Sequence, residues 1–362
     1  MSSTTDSGAA AAAPTGGPAP TREPFRVVVA PLTLVKRFLT TREGSIIAVT
    51  VLLAVYFSAS ISTFFTGSNF QTLLQYFSWL SILAAGEVFL MINGEIDLSI
   101  GGVYLFAPLV YYETVGGGIP LVPALIITLL VCMVVGVING IITAVFNVNS
   151  FITTLGTLFT LGGLTLIISH AQQLTMPGAA TTNPATGGTQ LGAFGSVFGA
   201  GTYSELIWAL VIIVVMQAAL TRTRWGLHTI AVGSNRIAAA EAGVRVRLVL
   251  IRNFVVCSTF AGFVGILEAI RSTTINPDPG TANSVLLDAI AAAVIGGTLL
   301  AGGSGTIVGA FFGALFLGVL EDGLALKGVN ANYLDFYLGV AILLAMGINV
   351  YIGRTRRRSG LG

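Results

Sequence analysis

Long apolar runs alternate with short polar connections along this chain, and the length of the runs sets the reading. A helix crossing the hydrocarbon core of a bilayer needs about 20 mostly apolar residues. Ten stretches meet that demand, at about 44–64, 72–93, 98–115, 119–146, 150–169, 203–220, 249–270, 284–300, 305–326 and 333–352. They are far too long and continuous for barrel strands, and lipid admits only helices or closed barrels. The pattern predicts an all-α polytopic membrane protein of about ten transmembrane helices, with residues 44–352 as its membrane domain. The fourth run exceeds one crossing, and Gly136 and Gly140 would let it tilt or bend.

Composition agrees with the pattern. Hydrophobic residues make up 54% of the 362 and charged residues only 9%, against roughly a quarter charged in a water-soluble domain. Orientation follows from Lys and Arg. Arg22, Arg26, Lys36, Arg37 and Arg42 precede the first run. Arg222, Arg224, Arg236, Arg245, Arg247 and Arg252 follow the sixth, and Arg354, Arg356, Arg357 and Arg358 follow the last. Ten spans put these groups on one side and leave only Arg271 and Lys327 of 17 basic residues opposite. The positive-inside rule makes the crowded side cytoplasmic, with both termini there. Residues 1–43 then form a cytoplasmic tail, and its Ala/Pro/Gly/Ser/Thr-rich opening predicts disorder over most of it. Residues 353–362 form a short basic cytoplasmic tail. The connection 170–202 contains no Lys or Arg, as an outward-facing loop should.

The cytoplasmic connection 221–254 centres on "GSNRIAAAEAG", residues 233–243. Ser234 or Asn235 can cap a helix there, the alanines propagate it and Gly243 can stop it. Two turns of helix do not hold in water unaided, so the membrane domain or a partner must brace it. One reading is a surface loop that only enforces topology. The sharper reading is a docking helix whose small face, Ala238, Ala239, Ala240 and Ala242, enters a groove on another protein, with Arg236 and Glu241 fixing its register.

Acidic residues inside apolar runs are costly and usually functional. Glu87 lies deep in the second run, while Glu268, Asp288 and Asp335 fall nearer predicted span ends. "INGEIDLSIGG", residues 92–102, holds Glu95, Asp97 and Ser99 between two runs. Asp97 or Ser99 can cap a helix start or fix a helix break, and contact with a solute or another span remains open for Asp97. Gly296 and Gly297, with Gly302 and Gly303, predict a second helix break near the membrane. Gly305, Gly309 and Gly313 recur every four residues and predict a close helix–helix contact.

The chain has no Gly-x-x-x-x-Gly-Lys-Ser/Thr loop, so any ATP-driven work must come from a separate chain. It also has no Gly-x-Ser-x-Gly elbow and no His-Glu-x-x-His helix. His170 and His228 are isolated, and neither Cys132 nor Cys257 is expected to form a disulfide. No enzyme chemistry, metal, resident cofactor or nucleic-acid partner is expected.

Four stretches together resemble one family: "GEIDLSIGG" at 94–102, "NSFITTLGTLFTLGGLTLIIS" at 149–169, "GSNRIAAAEAGVRV" at 233–246, and "LDAIAAAVIGGTLLAGGSGTIVGAFFGAL" at 287–315. The chain is similar to permease subunits of ATP-binding-cassette importers for monosaccharides, of the ribose/xylose/arabinose type, which are grouped with branched-chain amino acid permeases. The resemblance implies a multi-pass protein of the bacterial inner (cytoplasmic) membrane that imports a monosaccharide by alternating access. A second permease copy, an ATP-binding subunit dimer on the cytoplasmic face and an external solute-binding protein would be its partners. Gly233, Asn235, Ala238, Ala239, Glu241, Ala242 and Gly243 would belong to the coupling helix that meets the ATPase. Glu87, Glu95, Asp97, Ser99, Gly296 and Gly297 would line the path or the helix breaks. Glu95 stands where the family usually has Gly, and Ser150 where Pro is common. Rival expectations are a permease for branched-chain amino acids or another small polar solute, and a stand-alone proton-coupled carrier using Glu87, Glu95 or Asp97.

Overall fold

A computed structural model describes residues 42–330 apart from 180, 183–188 and 191, together with 333, 334, 336–344 and 347. Residues 1–41, the basic tail 353–362, Asp335 and much of the tenth run lie outside these. The first helices are α1 (Arg42–Ser60), α2 (Gly67–Ile92), α3 (Ile100–Gly116), α4 (Leu121–Ala144) and α5 (Ser150–Ser169). After them come α6 (Ala193–Val197), α7 (Ser204–Arg222), α8 (Arg224–Ser234) and α9 (Arg236–Glu241). The last are α10 (Val246–Ser272), α11 (Pro279–Ile295) and α12 (Ile307–Leu326). Nine of the ten predicted runs thus coincide with a helix. By length and composition α1, α2, α4, α5, α7, α10 and α12 can each cross a membrane.

The only strands among the described residues are four of two residues each. β1 (Leu174–Thr175) pairs antiparallel with β4 (Thr274–Ile275), and β2 (Thr181–Thr182) with β3 (Thr189–Gln190). The first pair ties the uncharged connection after α5 to the end of α10.

Apolar side chains are sorted by depth in the bundle. α2 is the central helix, continuously buried from Phe77 to Ile92. Large apolar residues on α1, α4, α5 and α7, among them Leu52, Leu130, Phe159 and Val214, are exposed. A protein in water avoids so broad an apolar surface, and a bilayer covers it.

Glycines set the closest helix contacts. A Cβ on Gly136 would lie 2.6 Å from the Val255 Cα, and one on Gly140 2.7 Å from the Ile251 Cα. These two glycines therefore serve the approach of α4 to α10, a tighter use than the bend expected from sequence. On α12, a Cβ at Gly309 would meet the Gly296 carbonyl at 2.1 Å, and one at Gly313 the Ala292 carbonyl at 2.0 Å. Gly305 precedes the helix and fits against Thr298 and Ile92 instead. Asp288 lies in the middle of α11, not near an end as its run predicts, because that helix begins five residues earlier at the Asp278-Pro279 start signal.

Candidate functional site

The second helix ends at Ile92 because Asn93 and Gly94 turn the chain, Gly94 with φ +74°. The Glu95 N–H still bonds back to the Leu90 carbonyl at 3.1 Å, residues 96–98 make no helical hydrogen bond, and α3 starts only at Ile100. Glu95, Asp97, Leu98 and Ser99 are all buried, so the stretch is an unwound segment inside the protein and not the exposed polar turn that "INGEIDLSIGG" could have been. Two of its N–H groups are satisfied by α5. The Ile96 N–H donates to Ser150 Oγ at 3.4 Å and the Leu98 N–H to Thr154 Oγ1 at 3.0 Å. The Ser150 hydroxyl thus supplies an acceptor from the start of α5. Unwound backbone at membrane depth persists only with such partners.

Asp97 closes the segment on itself. Its Oδ1 accepts from the Ser99 N–H at 2.9 Å and the Ser99 hydroxyl at 2.5 Å, and its Oδ2 faces the Ser258 hydroxyl of α10 at 3.5 Å. Ser99 Oγ also accepts from Asn139 Nδ2 of α4 at 2.8 Å, while Asn139 Oδ1 accepts from the Thr157 hydroxyl of α5 at 2.6 Å. A buried chain of polar groups thus joins α3, α4, α5 and α10 around the start of α3. Glu87, one turn and a half before Asn93, is fully buried. One carboxylate oxygen faces Cys257 Sγ at 3.4 Å and the other has no hydrogen-bond partner.

Below the break, three backbones converge. The Gly303 N–H donates to the Ile92 carbonyl at 2.7 Å. A Cβ on Gly302 would lie 3.1 Å from the Gly94 N and the Ile92 O and 3.2 Å from the Gly233 O. Gly297, Gly302 and Gly303 all have positive φ, so α11 ends at Ile295 and the glycine loop wraps the end of α2 before α12 starts. Gln217 of α7 holds that new start, its Oε1 accepting from the Ile307 and Val308 N–H groups at 3.1 and 3.3 Å.

The third backbone belongs to the α8–α9 connection. Asn93 Nδ2 donates to the Thr229 carbonyl at 2.7 Å, and Asn253 Nδ2 to Asn93 Oδ1 at 2.5 Å. Trp225 Nε1 donates to Asn253 Oδ1 at 2.8 Å, with the Trp225 ring 4.6 Å from that of Phe89. Asn235 caps α9 by accepting from the Ile237 and Ala238 N–H groups at 3.0 Å, and Gly243, with φ +84°, follows its end. Arg236 Nη2 reaches across to the Asn93 carbonyl at 2.8 Å and to Glu95 Oε1 at 2.6 Å.

Ala239 corrects the sequence picture of an all-alanine docking face. It is buried against Val232 and Val249, bracing α9 on its own domain. The outward residues are Ile237, Ala238, Ala240, Glu241 and Ala242, with Ile237 74% exposed. Of the residues singled out from sequence, Gly233 lies against the glycine loop and the end of α2, Glu95 is held by Arg236 beside Asn235, Asp97 and Ser99 bond to each other at the start of α3, and Gly296 packs on Gly309. Glu87 stands apart, higher in α2. Asn93, Asn139, Gln217 and Asn253 were missed, and their signal was a polar amide inside an apolar run. Glu205 at the start of α7 was also missed. It is buried, 3.7 Å from Arg271, which forms a closer pair with Glu268 at the opposite end of α10 from Asn253.

The chain matches a family model described as branched-chain amino acid transport system / permease component over residues 69–347. It is 37% identical over 334 residues to the xylose/arabinose import permease protein XylH of Sulfolobus acidocaldarius, covering 89% of this chain and 88% of that one. It is 33% identical over 308 residues to the ribose import permease protein RbsC of Escherichia coli K12, covering 84% and 92%. The L-arabinose ABC transporter permease protein AraH of Azospirillum brasilense is 30% identical over 320 residues, covering 88% and 90%. No solved structure matches the chain. With the family model spanning most of its length and the spanning helices in place, this chain belongs to the family of transport-system permease components, multi-pass membrane subunits that are not themselves enzymes.

Proposed function

We propose that this chain is the membrane subunit of an ATP-driven importer of a monosaccharide, and among monosaccharides a pentose. Ribose, xylose and arabinose, the sugars in its relatives' names, are all five-carbon sugars. The subunit sits in the cytoplasmic membrane with both termini inside and pairs with a second permease copy. It receives solute from an external binding protein and is driven by a pair of ATP-binding subunits. The sugar passes by alternating access, and ATP is bound by the partner subunits alone.

One observation carries the mechanism. The short capped helix α9, in the most basic connection of the chain, is bonded directly to the unwound segment between α2 and α3. An ATPase seated on α9 therefore has a short physical route to the interior. Its docking surface is the outward face, Ile237, Ala238, Glu241 and Ala242. Ile237 lies on a helix that is not one of the spans and is 74% exposed on its own domain, and an apolar anchor of this kind dominates small interfaces. Replacing it by Glu is expected to abolish co-purification of the ATPase and lower uptake by about tenfold or more, with the permease level in the membrane unchanged. Normal ATPase association by Ile237→Glu would remove α9 as the docking element. Ala239 is a poorer test, since a bulky residue there would disturb the packing of α9 itself. Uptake of a branched-chain amino acid in place of a pentose by the assembled system would overturn the substrate class alone.

A further inference from the structure

We propose that Glu95 and Arg236 are positioning residues that make α9 and the unwound segment 93–99 move as one piece. This rests on the reading of α9 as the ATPase docking helix. A helix of six residues has no stability of its own, so whatever fastens it decides where an applied push goes. Two contacts of α9 itself bear on this, besides the Asn93 bond to the Thr229 carbonyl that ties the segment to the preceding helix α8. One is the apolar contact of Ala239 with Val232 and Val249, a smooth surface of small and branched groups that resists separation but fixes no direction. The other is Arg236, whose single Nη2 donates to both the Asn93 carbonyl and the Glu95 carboxylate. Charge-assisted bonds of this kind are short and directional. Glu95 is 10% exposed and Arg236 45%, so the acid is held inside the domain while the base extends from α9 to meet it.

The segment that Arg236 grips is suited to rearrangement. Glu95 alone of residues 95–98 bonds back to α2, its N–H to the Leu90 carbonyl at 3.1 Å, and Gly94 beside them has positive φ and no atom closer than 3.8 Å to an added Cβ. At its far end the segment holds Asp97, Ser99 and, through Asn139 and Thr157, helices α4 and α5. Displacement of α9 thus reaches α3, α4, α5 and α10 through the Arg236 contacts to Asn93 and Glu95 and the short extended chain that follows. Without the pair, the Asn93 bond to Thr229 still holds the start of the segment to α8, and α9 can slide on its apolar contact while residues 95–99 stay where they are. The expected signature of a broken pair is ATP hydrolysis that no longer drives uptake.

The test uses the complete importer, with its ATPase and binding protein, in vesicles with pentose outside. Glu95→Arg and Arg236→Glu are each expected to reduce uptake per ATP hydrolysed by about tenfold. The ATPase should still co-purify with both variants and turn over ATP. Combining Glu95→Arg with Arg236→Glu restores the pair with reversed polarity and is expected to recover at least about half of the lost coupling. A double variant no better coupled than either single would overturn the proposal, as would normally coupled single variants. Loss of ATPase association on changing Glu95 would overturn it too, because the pair would then shape the docking surface. If the charge reversals do not reach the membrane, Glu95→Gln and Arg236→Lys replace them. A loss of about fivefold or more in uptake per ATP supports the proposal, and an unchanged ratio refutes it. Failure of the underlying reading shows separately, as an unmodified permease that captures no ATPase at all.

Discussion

Replacing Gly233 by Ala is expected to abolish most transport, although it adds a single carbon. That carbon would lie 1.7 Å from the Ile92 carbonyl oxygen and 3.0 Å from the Gly303 N. Both are backbone atoms, and they are the two partners of the hydrogen bond that joins the glycine loop to the end of α2. No rotamer change can relieve the clash. Either α8 moves off the break, or the bond opens and the end of α2 shifts. Overpacking of a tight interior costs about 1–3 kcal/mol, and loss of the bond adds about 1 kcal/mol. Uptake per copy of membrane-inserted permease should fall by about tenfold or more, with a lower unfolding temperature in detergent. Gly243→Ala is the natural control. Gly243 also has positive φ but no atom within 4 Å of a new Cβ, so only backbone strain of about 1 kcal/mol arises. Equal effects of the two substitutions would mean that the three-backbone junction does not govern transport.

Asp97 should tolerate Asn but not Ala. Alanine leaves the Ser99 N–H and the Ser99 and Ser258 hydroxyls without their acceptor in a fully buried place. Each buried polar group left unpaired costs about 1–3 kcal/mol, a large share of a typical total stability of about 5–15 kcal/mol. Asn keeps an oxygen where Oδ1 accepts from Ser99. Asp97→Ala is therefore expected to lose most of its folded population, and Asp97→Asn to keep most of both stability and uptake. Thermal unfolding of the purified variants and uptake by each give the comparison. If Asn and Ala variants are equally stable and equally inactive, the charge of Asp97 acts in transport and its role is not to fix the start of α3.

Much of this architecture was legible in the sequence because its causes are local. Apolar runs long enough to span a bilayer mark helices regardless of their neighbours, and Asn235 and Gly243 bound α9 through contacts within a few residues. The glycine loop also announced itself, since Gly233, Gly302 and Gly303 let three backbones meet at the end of α2. What could not be read depends on pairs distant in the chain. Nothing near Ile96 or Leu98 indicates that Ser150 and Thr154 will satisfy their N–H groups, so the depth of the unwound segment was hidden. The burial of Ala239 is set by Val249 on another helix, and alanine favours neither face by itself. Gln217 looks like a polar lapse in α7 until the start of α12 is placed beside it. Glu95, the one acid that departs from the signature, has its explanation 141 residues away in Arg236.

On the proposed function, this chain moves sugar only as the driven part of an ATP-powered assembly. The most direct test is pentose uptake into vesicles containing the purified permease, with and without its ATPase and binding protein. Uptake is expected when both partners and ATP are present, and none from the chain alone under any imposed pH gradient. Gradient-driven uptake by vesicles holding only this chain would contradict it, and would make Glu87, with one carboxylate oxygen unpartnered in the interior of α2, the first candidate for a proton carrier.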